Sequence, residues 1–421
     1  MARIDQVHSR EILDSRGYPT IESTVILDDG NIGVSSVPAG TSPGSFEAHE
    51  LRDNDPQRFE GMGVTKAVEA VSKIISPALS GLEIKYQNSI DQVLVELDGT
   101  PDKSKLGVNT ILSVSQAVLK ASSASYHMPL YSYLWAKYGL ADKSTSFPAS
   151  CFNMLNGGSH GSGNLDFQEF LVIPSSRFSF AKSLEIASRI YQLLRRALTK
   201  LSANNSLGDD GGFTPNFISN MDALQMILDT LKKTNLEPNN DVFLALDVAA
   251  SQFYRAGKYM IKDRAQSYSQ EEFIAYFEEL ERNYHILLLE DPLYEDDWDG
   301  WKNLTALLGN KVVLLGDDLL CANIQRVQKA INSKTCNGIM IKPNQIGTIT
   351  ETVAVVKLCK SNGWQVVVSQ RGSETNDDFI ADFSVGIGAN YTKFGAPARG
   401  ERVAKYNRLL AISREIGENA G

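Results

Sequence analysis

From about residue 147 onward, short apolar runs alternate with amphipathic stretches, and that alternation restricts the chain more than any other feature. The amphipathic stretches cover 184–201, 222–233, 271–284, 298–308, 324–331, 349–361 and 402–416. Strand followed by helix, repeated, builds a mostly parallel sheet with helices outside it. An open doubly wound sheet and a closed barrel both satisfy the pattern. At least seven strand–helix units are visible and no GxGxxG follows the first strand, which favours the barrel. Six of the apolar runs lead to a residue able to ionise or coordinate. These are Asp247 in FLALDVAAS, Glu290 in HILLLEDP, Asp317 in VVLLGDD, Lys342 in GIMIKPNQ, Arg371 in VVVSQRG and Lys393 in YTKFG. The C-terminal ends of barrel strands open on one face, so such residues gather around one pocket.

The first 140 residues read differently. Ile21 to Leu27 is rich in β-branched residues and Asp28-Asp29-Gly30-Asn31 supplies a turn, so a strand pair is expected over residues 1–30. The stretch SSVPAGTSPGSFEAHELRD, residues 35–53, opens with too many glycines, prolines and hydroxyl residues for a regular element, and loops of this length are often lids. Residues 62–138 carry helical periodicity, with one helix expected over about 109–123. The expected architecture is an N-terminal α+β capping domain with a lid loop, residues 1–140, followed by a C-terminal α/β barrel catalytic domain, residues 141–421.

A net charge of -9 argues against non-specific binding to nucleic acid or an anionic membrane. No window approaches 18 apolar residues. The N-terminus is charged from its start and has no apolar h-region, and the four cysteines show no CxxC spacing; a cytoplasmic location is expected.

Asp247, Glu290 and Asp317 would aim three hard oxygen ligands at one point from neighbouring strand ends, as Mg²⁺ prefers. An acid after a strand is ordinarily a helix N-cap, a role that suits Asp291 and Asp318 better. Lys342 and Lys393 separate the two readings, because a pocket for an anionic substrate needs cations and a cap does not. A lysine at a strand end ordinarily snorkels to the rim. Beside a dication its ammonium form is disfavoured, and it becomes a base for a proton next to a carboxylate. His160 sits among Gly157, Gly158, Gly161 and Gly163, where backbone can approach a ligand closely. LGDDGGF, residues 207–213, is a second such loop with Asp209 and Asp210; a plain Asp-Gly turn is its bland alternative.

Taken together, REILDSRGYPT, SVPAGTSPG, EAHELRD, NGGSH, QEF, GDDGG, LDVAAS, LLEDP, GDDL, IKPNQIGT and GAPARGER resemble the enolase family, in the family's order, from residue 3 to residue 418. The resemblance implies a barrel whose first strands break the usual order, a homodimer or larger even assembly, and two Mg²⁺ per site. It implies Asp247, Glu290 and Asp317 as ligands of the first Mg²⁺, and Ser42 of the lid as a ligand of the second. Lys342 becomes the base that removes the C2 proton of 2-phosphoglycerate, and Glu169 with Asp210 assists departure of the C3 hydroxyl. His160, Gln168, Gln370, Arg371, Ser373 and Lys393 become substrate-binding residues, with Arg371 as phosphate clamp.

The chain departs from the family pattern near these residues. Asp210 replaces a glutamate, Gln370 a histidine and Gln252 a glutamate, Gly372 and Ser373 are exchanged, and the lid reads Ala39-Gly40-Thr41-Ser42-Pro43. The metal ligands and Lys342 are kept. Three functions fit: dehydration of 2-phosphoglycerate to phosphoenolpyruvate, a related reaction on another phosphorylated or phosphonylated hydroxy acid, as in carboxyphosphonoenolpyruvate synthase, or a non-catalytic binding role.

Overall fold

The computed structural model describes residues 2–40, 44–161, 163 and 165–417. Its contacts divide the chain into two compact units. One comprises residues 1–146, 341–358 and 370–388; the other comprises residues 147–340, 359–369 and 389–421.

The first unit is built on an antiparallel meander of β1 (Ile4–Leu13), β2 (Pro19–Leu27) and β3 (Ile32–Ser36). The expected strand pair is β1 and β2, and the Asp28–Asn31 turn leads on to a third strand. Alternation along β2 buries Ile21, Ser23, Val25 and Leu27. The helix Val108–Ser125 lies on this sheet. Ser113 and Gln116 meet it through hydroxyl contacts, Ser23 Oγ to Ser113 Oγ at 2.7 Å and Ser35 Oγ to Gln116 Oε1 at 2.8 Å.

The second unit carries β4 (Ala149–Ser150), β5 (Phe152–Asn156), β6 (Glu169–Pro174), β7 (Val242–Asp247), a small ribbon β8 (Tyr254–Arg255) and β9 (Lys258–Tyr259), then β10 (Ile286–Glu290), β11 (Val313–Gly316), β12 (Gly338–Ile341), β13 (Gln365–Ser369) and β14 (Tyr391–Lys393). The large sheet runs β4-β14-β13-β12-β11-β10-β7-β6-β5. Its two ends, β4 and β5, are separated only by Cys151, so one stretch of chain closes the sheet into a barrel. The interior is filled, with Leu171, Ile173, Ala245, Leu288, Leu315, Met340 and Val367 forming one buried cluster.

β6 pairs antiparallel with both β5 and β7, while β7, β10 and β11 are parallel neighbours. This reversal brings the first residue of β6 to the end of the barrel where β7 and β10 finish: Glu169 pairs in register with Asp247, and Asp247 with Glu290.

The expected helices at 298–308 and 349–361 have those bounds in the structure, and the others shift by a few residues at their ends. The helix Phe379–Gly386 was not expected. All eight of its residues are buried, so it lacks the polar face that makes a helical period visible. Among the described residues no helix is long and apolar enough to cross a membrane. All four cysteines are buried, and none of them forms a disulfide.

Candidate active site

Side chains alternate along a strand, so residues two apart share a face. Leu171, Ala245 and Leu288 fill the barrel, and Glu169, Asp247 and Glu290 stand two residues from them toward one end. Tyr391 packs on the same cluster and Lys393 follows it by two. Period alone therefore turns four ionisable side chains into the barrel mouth.

There they meet. Lys393 Nζ lies 2.8 Å from Glu169 Oε2, 2.9 Å from Asp247 Oδ2 and 2.6 Å from Glu290 Oε2, and all four side chains are at most 8% exposed. Burial pulls the Lys393 ammonium down, but Asp247, Glu169 and Glu290 outweigh it and hold its pKa well above the ordinary lysine value. Lys393 is thus a fixed positive charge. Gln168 Nε2 donates to Asp247 Oδ2 at 3.1 Å, while Gln168 Oε1 accepts from Gln252 Nε2 at 2.6 Å and Ser159 Oγ at 2.8 Å. The amide of Gln252 thereby orients Gln168 toward Asp247.

A second group lies beside the first. His160 Nδ1 is 2.7 Å from Asp210 Oδ2 and 3.2 Å from Glu169 Oε1. Burial lowers the imidazole pKa, but the Asp210 charge and hydrogen bonds to both carboxylates push it up to about 10, so His160 is an imidazolium at neutral pH. Burial works against the Asp210 carboxylate, yet His160, then a hydrogen bond with Glu169, then Arg402 hold it below the usual range. Two loops create the contact, the His160 loop between β5 and β6 and the Asp210 loop 207–213. A Cβ on Gly208 would stand 2.4 Å from the His160 carbonyl oxygen, so only glycine allows this approach.

Asp317 lies one residue past β11. Its backbone amide donates to Asp291 Oδ1 at 3.0 Å, and that of Asp318 to Asp291 Oδ2 at 2.8 Å. Asp291 is buried and has φ 41°, a left-handed value seldom adopted outside glycine. It caps the Asp317 turn from the neighbouring strand. Asp291, Asp317 and Asp318 offer oxygens within 4.8 Å of one another.

Of the six expected strand ends, Asp247, Glu290 and Lys393 are final strand residues. Asp317 and Lys342 stand one residue beyond their strands and Arg371 two beyond. Lys342 is half-buried and precedes a short helical turn, Pro343–Gln345. In the first unit Arg371 is ion-paired with Glu47 at 2.8 Å, and Ser373 pairs with Ala39. Gln370 is buried. Ser42 lies outside the described residues.

Among the described residues, two groups have ligand atoms close enough to share a cation, His160 with Glu169 and Asp210, and Asp291 with Asp317 and Asp318; the expected set of Asp247, Glu290 and Asp317 is not brought within that reach. Glu169, Asp247 and Glu290, all buried, share the Lys393 ammonium, and Glu169 also meets the His160 imidazolium. The group of Asp291, Asp317 and Asp318 offers oxygen alone, as Mg²⁺ prefers, and Asp317 is oriented by Asp291. Glu47, Asp291 and Arg402 were not singled out as functional from the sequence. Arg402 is wholly buried, donates from Nη2 to the Asp209 carbonyl at 3.0 Å and stands 3.9 Å from Asp210 Oδ1. Its place inside GAPARGER was the available signal.

The profile of the enolase C-terminal TIM barrel domain matches residues 144–421, and that of the enolase N-terminal domain matches residues 4–134. A protein named enolase from Acidothermus cellulolyticus is 45% identical over 420 residues, covering 100% of this chain and 96% of that protein. With both domain profiles and a full-length relative in agreement, the chain belongs to the enolase family.

Proposed function

We propose that this protein catalyses the reversible dehydration of 2-phosphoglycerate to phosphoenolpyruvate, with Mg²⁺ as cofactor. The carrying observation is the buried set of Glu169, Asp247 and Glu290 on Lys393 at one end of the barrel. Asp247, Glu290 and Asp317 would hold one Mg²⁺, and Ser42 would contribute to a second. Bound there, the ions would supply the positive charge that makes a proton next to the substrate carboxylate easier to remove.

In this reading Lys342 Nζ takes the C2 proton. Lys393, fixed as an ammonium by its carboxylates, is unable to act as a base and serves as a positive charge for the substrate carboxylate. Loss of the C3 hydroxyl as water requires a proton. One is held at His160 Nδ1 between Asp210 and Glu169, so the acid function is shared by three side chains. Arg371 and Ser373 take the phosphate, and Gln168 and Gln370 line the site. The shorter Asp210 still reaches His160 at 2.7 Å, which favours ordinary enolase chemistry over a changed substrate. Residues 1–140 as capping domain, residues 141–421 as catalytic barrel, a cytoplasmic location and a homodimer or larger even assembly complete the proposal.

The test is phosphoenolpyruvate formation, followed by absorbance, from purified protein with 2-phosphoglycerate and Mg²⁺, with Lys342→Ala as the blank. Turnover above the blank is expected. No turnover with Mg²⁺ still bound would redirect the search to other phosphorylated or phosphonylated hydroxy acids.

A further inference from the structure

We propose that Glu47 is the positioning residue for Arg371, coupling the later part of the lid loop to the guanidinium that receives the substrate phosphate. The proposal rests on the reading of Arg371 given above and assigns a role to a carboxylate outside that machinery.

Glu47 Oε2 accepts from Arg371 Nη1 at 2.8 Å and Glu47 Oε1 from Nη2 at 3.2 Å. This is a two-point contact on the end of the guanidinium fork, with both side chains at most 7% exposed. Asn344 Oδ1 accepts the second Nη1 proton at 3.1 Å. The arginine backbone is held as well, its amide donating to Glu374 Oε1 at 3.0 Å. Glu47 therefore fixes the plane of a side chain that otherwise has many rotamers to lose. An oxyanion read through two parallel N–H bonds needs that plane fixed in advance, since ordering it at binding costs affinity.

The same carboxylate reaches toward the lid. Glu47 Oε1 also accepts from the Gly44 amide at 2.9 Å and from Gln345 Nε2 at 3.2 Å. On the other side of the loop, a Cβ on Gly40 would stand 2.1 Å from Arg371 Nη2, so the backbone there lies directly against the guanidinium. Ala39 and Ser373 exchange backbone hydrogen bonds at 3.0 and 3.3 Å. Both described ends of the lid loop are thus tied to the segment carrying Arg371, one through Gly40 and one through Glu47. A plain ion pair of the fold would explain the burial. It gives no reason for the carboxylate to hold the Gly44 amide and Arg371 together.

The experiment begins with wild-type turnover of 2-phosphoglycerate and continues with Glu47→Gln, which keeps the shape and removes the charge. We expect KM to rise about tenfold with kcat within about threefold, because an interaction shared by ground and transition states is lost. In an Arg371→Lys background the same substitution should move KM less than about threefold, since the fork it orients is gone. Glu47→Asp, which keeps the charge, should fall between Gln and wild type. A fall in Tm with KM unchanged, or an equal KM effect in both backgrounds, would reduce Glu47 to a structural ion pair. If the wild type does not turn over 2-phosphoglycerate, calorimetry with inorganic phosphate separates the two ideas. Phosphate binding weakened by Glu47→Gln supports the role of Glu47 while the reaction fails; unchanged binding, or none in the wild type, overturns it.

Discussion

Replacing Lys393 with methionine keeps most of the apolar stem and removes the ammonium that faces Glu169, Asp247 and Glu290 together. Each contact, at 2.6–2.9 Å, is worth roughly 6 kcal/mol of Coulomb attraction at an effective dielectric of about 20. Desolvation offsets much of this, and removing one member of a buried ion pair costs about 3–5 kcal/mol net. An unfolding entropy of roughly 0.5 kcal/mol/K for a unit of this size converts the loss into a fall of about 6–10 °C in Tm. The folded pKa of Lys393 is raised, so its contribution is complete below the unfolded lysine value and is lost only at more alkaline pH. The difference between wild type and Lys393→Met should therefore stay level between pH 6 and 9. Added Mg²⁺ stabilises a folded state that binds it by about 2.7 kcal/mol at a hundredfold excess over Kd. It should recover more of the Tm in the variant than it adds to the wild type, because the carboxylates no longer have an ammonium between them. The assay is thermal unfolding of both proteins in chelator and in Mg²⁺. A variant melting within about 2 °C of wild type in chelator would show that the cluster is not held by ion pairing.

Three further outcomes are expected. The raised pKa of His160 adds stability that is complete below the free imidazole value of 6.5 and is lost as pH rises toward about 10, so urea midpoints of the wild type should fall across that window and those of His160→Gln should not. Asp210→Glu places an extra methylene where the side chain is 2% exposed, which should cost about 1–3 kcal/mol in thermal unfolding and lower kcat/KM; a gain in either would show that the shorter acid is a defect of this chain. Asp291→Ala leaves the amides of Asp317 and Asp318 without their acceptor, and calorimetry should show Mg²⁺ affinity reduced by roughly 10–100-fold.

The barrel was legible because each of its strands had to be apolar and each outer helix amphipathic, so periodicity and spacing both survive in the sequence. The rim was legible for a related reason. Asp247, Glu290 and Lys393 interrupt apolar runs at the point where the strand period still dictates which way they face. The reversal of β6 was not legible from pattern, since an apolar strand reads alike in either direction; it entered through the family resemblance. That reversal alone puts Glu169 beside Asp247. The contacts of Glu47 and Asp291 were equally hidden. Each acts on backbone or on a guanidinium across a large sequence separation, and nothing local marks the partner.

The departures from the family pattern can be weighed by where their contacts fall. Asp210 retains a 2.7 Å contact to His160, with Arg402 behind it and the Asp209 carbonyl held by the same guanidinium. The loop that carries Asp210 is packed tightly enough that Gly208 admits no side chain against His160. A shorter acid in such a frame is placed by its backbone, where a longer one is placed by its rotamer. Gln252 follows the same logic. An amide at that position donates to Gln168 Oε1 and turns the Gln168 donor onto Asp247, whereas a carboxylate would have demanded that donor for itself. The two substitutions thus leave the geometry around Glu169 and Asp247 coherent, as a working enolase site requires.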